Sequence, residues 1–343
     1  MRIILRCIAA LLCAVILPSC SSKNAHDKLF IYNWTYYIPD SVIRDFEKKF
    51  NVRVVYDLYA SNEEMFAKLK AGGGGYDVVF PSGDYVSIMI REGMLSEIDK
   101  TKIPNFSLID STVLEKIHFD EGCRYSIPFM MGAAGISVNT VKIPTYEKSW
   151  SLFDRADLRG HCTLLDDMRE VLGAALRTLG YSVNSTDTAQ LRQAKDVVVN
   201  WRKNIVKFDA ESFGKAFASG EFWMVHGYAE NVFLELDSSR EKTTDFFIPR
   251  EGGCSYIDNM VILHDSRNKD LAYQFINFIH TPEVFAAIVD FLRLPSINTG
   301  AKEKRKTVPR YSLKDLAATE IKEDLGNDIE LYNRIWQEIR IGK

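Results

Sequence analysis

From residue 28 onward, short apolar runs alternate with amphipathic stretches. Leu29-Phe30-Ile31-Tyr32 is a continuous apolar run of strand length, the pattern of a strand covered on both faces. Asp40–Phe50 carries Val42, Ile43, Phe46 and Phe50 at the spacing of a helix with one buried stripe. Residues 52–56 read as the next strand, 62–71 as a helix stopped by four glycines, and 76–80 as a third strand. That alternation is the signature of a parallel sheet covered by helices. Later, Gly132-Ala133-Ala134-Gly135 runs into the apolar Ile136-Ser137-Val138, and residues 249–263 repeat the pattern of small residues followed by a strand. These two stretches predict crossings between two α/β lobes. The expected division is 28–133 plus 256–305 for the first lobe and 134–255 plus 306–343 for the second. Within the second, the pattern predicts a helix over 168–179 capped by Asp166 or Asp167, a helix over 188–203, a short helix over 212–219 and a strand over 222–226. Helices over 269–280 and 329–339 complete the chain.

The first 19 residues do not belong to that pattern. Arg2 and Arg6 precede the apolar run Cys7–Leu17, which has the length of a signal-peptide core and is too short to span a bilayer. Leu17-Pro18-Ser19-Cys20 resembles a bacterial lipobox, with Cys20 as the lipidated N-terminus of the mature protein, and residues 21–27 are a polar tether. Removing residues 1–19 takes away two cations and no acids, so the net charge moves from −3 to −5. A mildly acidic exported chain without a basic run argues against nucleic acid as a partner. Three cysteines remain after Cys20, at positions 123, 162 and 254, too sparse and odd in number for a disulfide framework. They are expected as buried free thiols.

Catalytic and metal signatures are missing. No GxSxG, HExxH, GxGxxG or phosphate-loop motif occurs, and the six histidines are isolated. The glycine run at 72–75 precedes a strand and is followed by no Gly-Lys-Ser/Thr, so it reads as a helix stop. What the strand ends do carry is aromatics and acids: Trp34 and Tyr37 after the first strand, Ser82 and Asp84 after the third, Asp167 and Glu170 at a helix start, Tyr256 and Asp258 on the returning strand. Ligands of open α/β sheets bind outside the carboxyl ends of the strands. Trp34 and Tyr37 could equally close the core, and Asp167 and Glu170 could serve only as helix caps.

Taken in order, these residues resemble the bacterial spermidine/putrescine-binding proteins of polyamine ABC transporters. The matching pieces include Tyr32-Asn33-Trp34-Thr35-x-Tyr37, Ser61-Asn62-Glu63, Tyr76-Asp77-Val78-Val79 with Pro81-Ser82, and Arg91-Glu92-Gly93-Met94. Tyr125-Ser126-Ile127-Pro128, Asp166-Asp167-x-Arg169-Glu170-Val171, Glu251-Gly252-Gly253 and Asp258 continue the match along nearly the whole mature chain. The resemblance implies a type II periplasmic-binding-protein fold, two α/β lobes that close over a ligand and deliver it to a membrane permease. It implies no catalysis and no cofactor. Trp34, Tyr37 and Tyr256 would form aromatic walls, Thr35 and Ser82 polar contacts, and Asp167, Glu170 and Asp258 the amine anchors. Three positions depart from the family's pattern: His226 replaces a Trp, Asp84 an aromatic, and Leu294 a frequent Tyr. A protonated His226 would repel an amine, so binding would weaken below its ordinary pKa of about 6.5. Two other classes remain open at this point: a receptor for another cationic or amino-acid-like solute, and an enzyme on the same fold with Cys162 as its nucleophile.

Overall fold

The computed structural model describes residues 27–35 and 37–342; the leader, Cys20 and most of the tether lie outside them. The chain begins with β1 (Lys28–Trp34), α1 (Asp40–Phe50), β2 (Arg53–Tyr59), α2 (Asn62–Lys70), β3 (Val78–Val79) and α3 (Gly83–Arg91). β1 runs parallel to both β2 and β3, as the βαβ pattern requires. The Ser61 side chain caps α2 by accepting from the Glu64 N–H, and α1 ends where Asn51 turns left-handed at φ 54°. After α4 (Ser111–Leu114), β4 (Ser126–Ala133) leads through Ala134 alone into β5 (Gly135–Asn139).

The second sheet then assembles around β5. β6 (Cys162–Leu164), α5 (Met168–Thr178), α6 (Thr188–Arg202) and β7 (Ile205–Phe208) follow, then α7 (Phe213–Ser219), β8 (Met224–Gly227), α8 (Ala229–Phe233), α9 (Ser238–Glu241) and β9 (Thr244–Phe247). The strand order is β7-β6-β8-β5-β9, parallel from β7 to β8 and antiparallel on both sides of β5. The chain returns as β10 (Cys254–Ile262), followed by α10 (Lys269–Ile279), α11 (Pro282–Leu292), β11 (Glu320–Ile321) and α12 (Ile329–Ile341). β10 enters the first sheet, whose order is β11-β10-β3-β1-β2 with β4 also paired to β10.

The two crossing strands, β4 and β10, are buried at every residue, because each lies at the centre of a layer covered on both faces. They run antiparallel to one another, and β10 is antiparallel to β3, which makes the first sheet mixed; the antiparallel β5 does the same in the second. α10 covers the first sheet by packing Phe275 and Phe278 on Phe46 of α1, with ring centroids 5.1 and 5.4 Å apart. α12 packs on the second sheet, where Trp336 meets Phe208 and Lys195 of α6 pairs with Glu338. The return crossing needs a glycine. Gly252 has φ +82°, and a Cβ there would lie 1.9 Å from the Ala318 carbonyl oxygen.

Element boundaries differ from the sequence pattern where side chains take over backbone groups. The third strand shrinks to Val78–Val79 because the Phe80 carbonyl accepts from the Trp34 indole and the Tyr59 hydroxyl, which ends the ladder. α3 begins at Gly83, with extended Ser82 before it. β11 has only two residues and no periodicity to announce it. It is fixed by the Glu320 N–H donating to the Gly253 carbonyl and by the Arg177–Glu320 ion pair. Cys123, Cys162 and Cys254 are free and buried. Among the described residues no single helix is long and apolar enough to cross a membrane.

Candidate functional site

Groups from both sheets meet at one buried polar cluster centred on Asp258. The carboxylate, 5 % exposed, accepts two hydroxyls: Tyr37 at Oδ2, 2.6 Å, and Ser82 at Oδ1, 2.6 Å. Ser82 is itself held by Asn62, whose amide nitrogen donates to Oγ at 3.1 Å and whose carbonyl oxygen accepts the Ser82 N–H at 3.2 Å. A register irregularity in the β4–β10 ladder falls between Asp258 and Asn259, where β4 carries Phe129 as an extra residue. Burial raises the Asp258 pKa to about 6, outweighing the stabilisation its ionised form draws from Ser82, Tyr37 and the field of Lys322.

Tyr256, two residues earlier and therefore on the same face of β10, lays its hydroxyl against the Glu230 carboxylate. Its ring stands edge-on to Tyr228, 5.9 Å between centroids. Gly132, opposite Tyr256 in the β4–β10 register, makes room for it: a Cβ there would sit 2.4 Å from the tyrosine oxygen. Glu230, in the first turn of α8, has its pKa raised to about 7 by burial, and the nearby Asp258 charge adds to the rise. Asp258 and Glu230 thus form one acidic end of the cluster, supplied by different sheets.

The other end holds Asp84, Asp167 and Glu170. Asp84 sits in the first turn of α3, where burial raises its pKa against the opposing fields of Lys322 and Arg169. Asp167 is the N-cap of α5, with Oδ1 accepting the N–H groups of Arg169 at 2.8 Å and Glu170 at 3.0 Å. Glu170, one turn later, points inward. Its Oε1 accepts Lys322 Nζ at 2.6 Å and the Tyr228 hydroxyl at 3.3 Å.

The remaining predicted residues are placed less centrally. Trp34 is half-buried, its indole N–H donating to the Phe80 carbonyl at 2.8 Å and its ring 4.7 Å from Tyr59. Thr35 is exposed, with its N–H and hydroxyl directed at the Tyr59 carbonyl. His226 on β8 is buried edge-on against Trp150, 4.9 Å between centroids, and neither ring nitrogen has a hydrogen-bond partner among the described residues. Burial lowers its pKa to about 3, against a smaller opposing pull from Asp167. His226 is therefore neutral throughout the physiological range, and the expected loss of binding near pH 6.5 by its protonation does not follow. Leu294 is fully buried. Cys162, the nucleophile of the catalytic alternative, is fully buried in β6, and burial pushes its thiol to about 12.

Three cluster residues escaped the sequence pattern: Tyr228, Glu230 and Lys322. Tyr228 and Glu230 follow the end of β8 and lie where strand-end logic, applied to that strand, would have found them. No local signal marks Lys322, which reaches the cluster only because β11 pairs with the start of β10.

The comparisons agree along nearly the full chain. Residues 41–314 match the model of a family described as bacterial extracellular solute-binding protein. The putrescine/cadaverine-binding protein of Pseudomonas aeruginosa is 32% identical, with 96% of this chain and 98% of that protein covered. The spermidine/putrescine-binding periplasmic protein of Escherichia coli is also 32% identical, with 95% of each covered. Among solved structures, the TpPotD lipoprotein of Treponema pallidum superposes with a TM-score of 0.90 at 46% identity, over 92% of this chain and 100% of that one. By these matches, and by two α/β layers that meet at a polar site, the chain belongs to the bacterial extracellular solute-binding proteins.

Proposed function

We propose that the protein is an extracytoplasmic receptor for polyamines, putrescine or spermidine, which it passes to the permease of an ABC transporter. The observation that carries this reading is the acidic pair of buried Asp258 and half-buried Glu230 among Tyr37, Tyr228 and Tyr256. A polyamine is a row of ammonium groups joined by methylenes. Each ammonium calls for a carboxylate, and each methylene run for a flat apolar wall. A charge-assisted hydrogen bond in such a site contributes about 1.5–3 kcal/mol, and a cation over an aromatic face about 0.5–2 kcal/mol. Three of each total about 6–15 kcal/mol before association costs, and the ~8 kcal/mol of micromolar affinity requires the upper part of that range.

The acids come from both sheets, with Asp258 and Glu170 buried and Asp84, Asp167 and Glu230 half-buried in this arrangement, so a ligand reaches the buried ones only when the lobes part. The lobes, 28–133 with 256–305 and 134–255 with 306–343, would swing about the crossings at Ala134 and Gly252. Closure then brings Glu230 to the ligand held by Asp258, and the differential contact stabilises the closed state. A lipid on Cys20 would hold the receptor on the periplasmic side of the inner membrane, beside its permease. The names of the relatives support the ligand class, and the absence of a reactive Cys162 thiol leaves the catalytic alternative without its nucleophile. Thermal denaturation tests the reading. Millimolar putrescine or spermidine should raise the melting temperature by several degrees, since ligand at a thousand times Kd stabilises by about 4 kcal/mol. Arginine, a cation of different shape, should not. No shift with either polyamine would refute the ligand class.

A further inference from the structure

The acidic cluster already contains a cation. Lys322 lies 2.6 Å from Glu170, with side-chain exposures of 14% and 1%, and the Tyr228 hydroxyl shares the same carboxylate oxygen. The lysine is anchored by its backbone: its N–H donates to the Ser255 carbonyl at 3.0 Å, directly after the β10–β11 pairing. Its neighbours are tied to both sheets. Asp324 pairs with Arg91 of α3, the Glu323 carbonyl accepts from Arg169, and the Ile321 carbonyl accepts from Asn184. Resting on the polyamine reading, we infer that Lys322 is a built-in ammonium that fills one amine position of the site and makes it select a diamine over a triamine.

A ligand ammonium at Glu170 would share one carboxylate with Lys322, two like charges against one in a water-poor site. The free acids are then concentrated at the Asp258–Glu230 end, with Asp84 and Asp167 flanking the lysine. Asp167 already spends one oxygen on the α5 cap. A molecule with two ammonium groups fits this distribution. A third ammonium meets the lysine.

Calorimetry on the wild-type protein, Lys322→Gln and the double variant Glu170→Gln/Lys322→Gln tests this. The wild type should bind putrescine at least tenfold tighter than spermidine. Lys322→Gln frees Glu170 and should raise the spermidine-to-putrescine affinity ratio at least tenfold. The double variant, which removes both members of the buried ion pair together, should return the ratio to within threefold of wild type. A wild-type preference for spermidine, or a ratio unchanged within threefold in a folded Lys322→Gln, would overturn the role of Lys322 while leaving the polyamine receptor intact. Should Lys322→Gln not fold, the wild-type preference alone decides. A wild-type protein that binds neither polyamine would overturn the ligand class itself.

Discussion

Asp258→Asn separates the cost of the binding site from its use. In the free protein the Asp258 carboxylate is held ionised in a buried place, and its pKa rises from 3.8 to about 6. That displacement corresponds to about 3 kcal/mol of folding free energy lost at neutral pH. The sign follows from proton affinity. A native carboxyl that binds its proton more tightly than the unfolded chain costs nothing below pH ~4, costs progressively more as pH rises to ~6, and stays constant above. Asparagine keeps the shape of the group, can accept from Ser82 through its oxygen, and can donate to a rotated Tyr37 hydroxyl. At pH 7 the ligand-free variant should therefore melt several degrees above wild type, and the gap should close at pH 4. Binding should move the other way. Losing one charge-assisted contact of about 1.5–3 kcal/mol lowers polyamine affinity at least tenfold at pH 7. Melting curves and calorimetric titrations at the two pH values read both effects. A variant that binds as tightly as wild type at pH 7, or that is less stable than wild type when ligand-free, would refute the placement of the charge.

The carboxyls near pKa 6 and 7 at Asp258 and Glu230 should lose protons as a cation arrives, so binding near pH 6.5 should release roughly one proton between them. Titrations in buffers of differing ionisation enthalpy measure this, and heats independent of buffer would contradict it. Trp34→Ala removes a half-buried aromatic face and the indole contact to Phe80. Affinity should fall by about tenfold or more with little loss of stability, and an unchanged Kd would exclude the ring from the site. Gly252→Ala places a Cβ against the Ala318 carbonyl in a left-handed backbone, so it should destabilise by at least about 1–2 kcal/mol. A denaturant midpoint equal to wild type would show that the crossing relaxes freely.

How much of this was legible before folding depended on how local the signal was. The βαβ alternation rests on short-range periodicity, and its strands pair as that periodicity requires. Asp167 was ambiguous between cap and anchor, and its Oδ1 is committed to the α5 cap. The state of His226 could not be read from its sequence neighbours, because the Trp150 that buries it lies 76 positions away. Lys322 is the extreme case. A two-residue strand, paired across more than sixty residues, delivers the lysine that meets Glu170. Long-range pairing therefore decides the net charge of the site, which no window along the chain can sum.

The most direct test of the receptor is calorimetric titration of ligand-stripped protein with putrescine and spermidine, with arginine as the control. Saturable one-to-one binding of a polyamine at micromolar Kd or tighter, and no heat with arginine, is the expected result. Stripped, folded protein that gives no heat with either polyamine would contradict it.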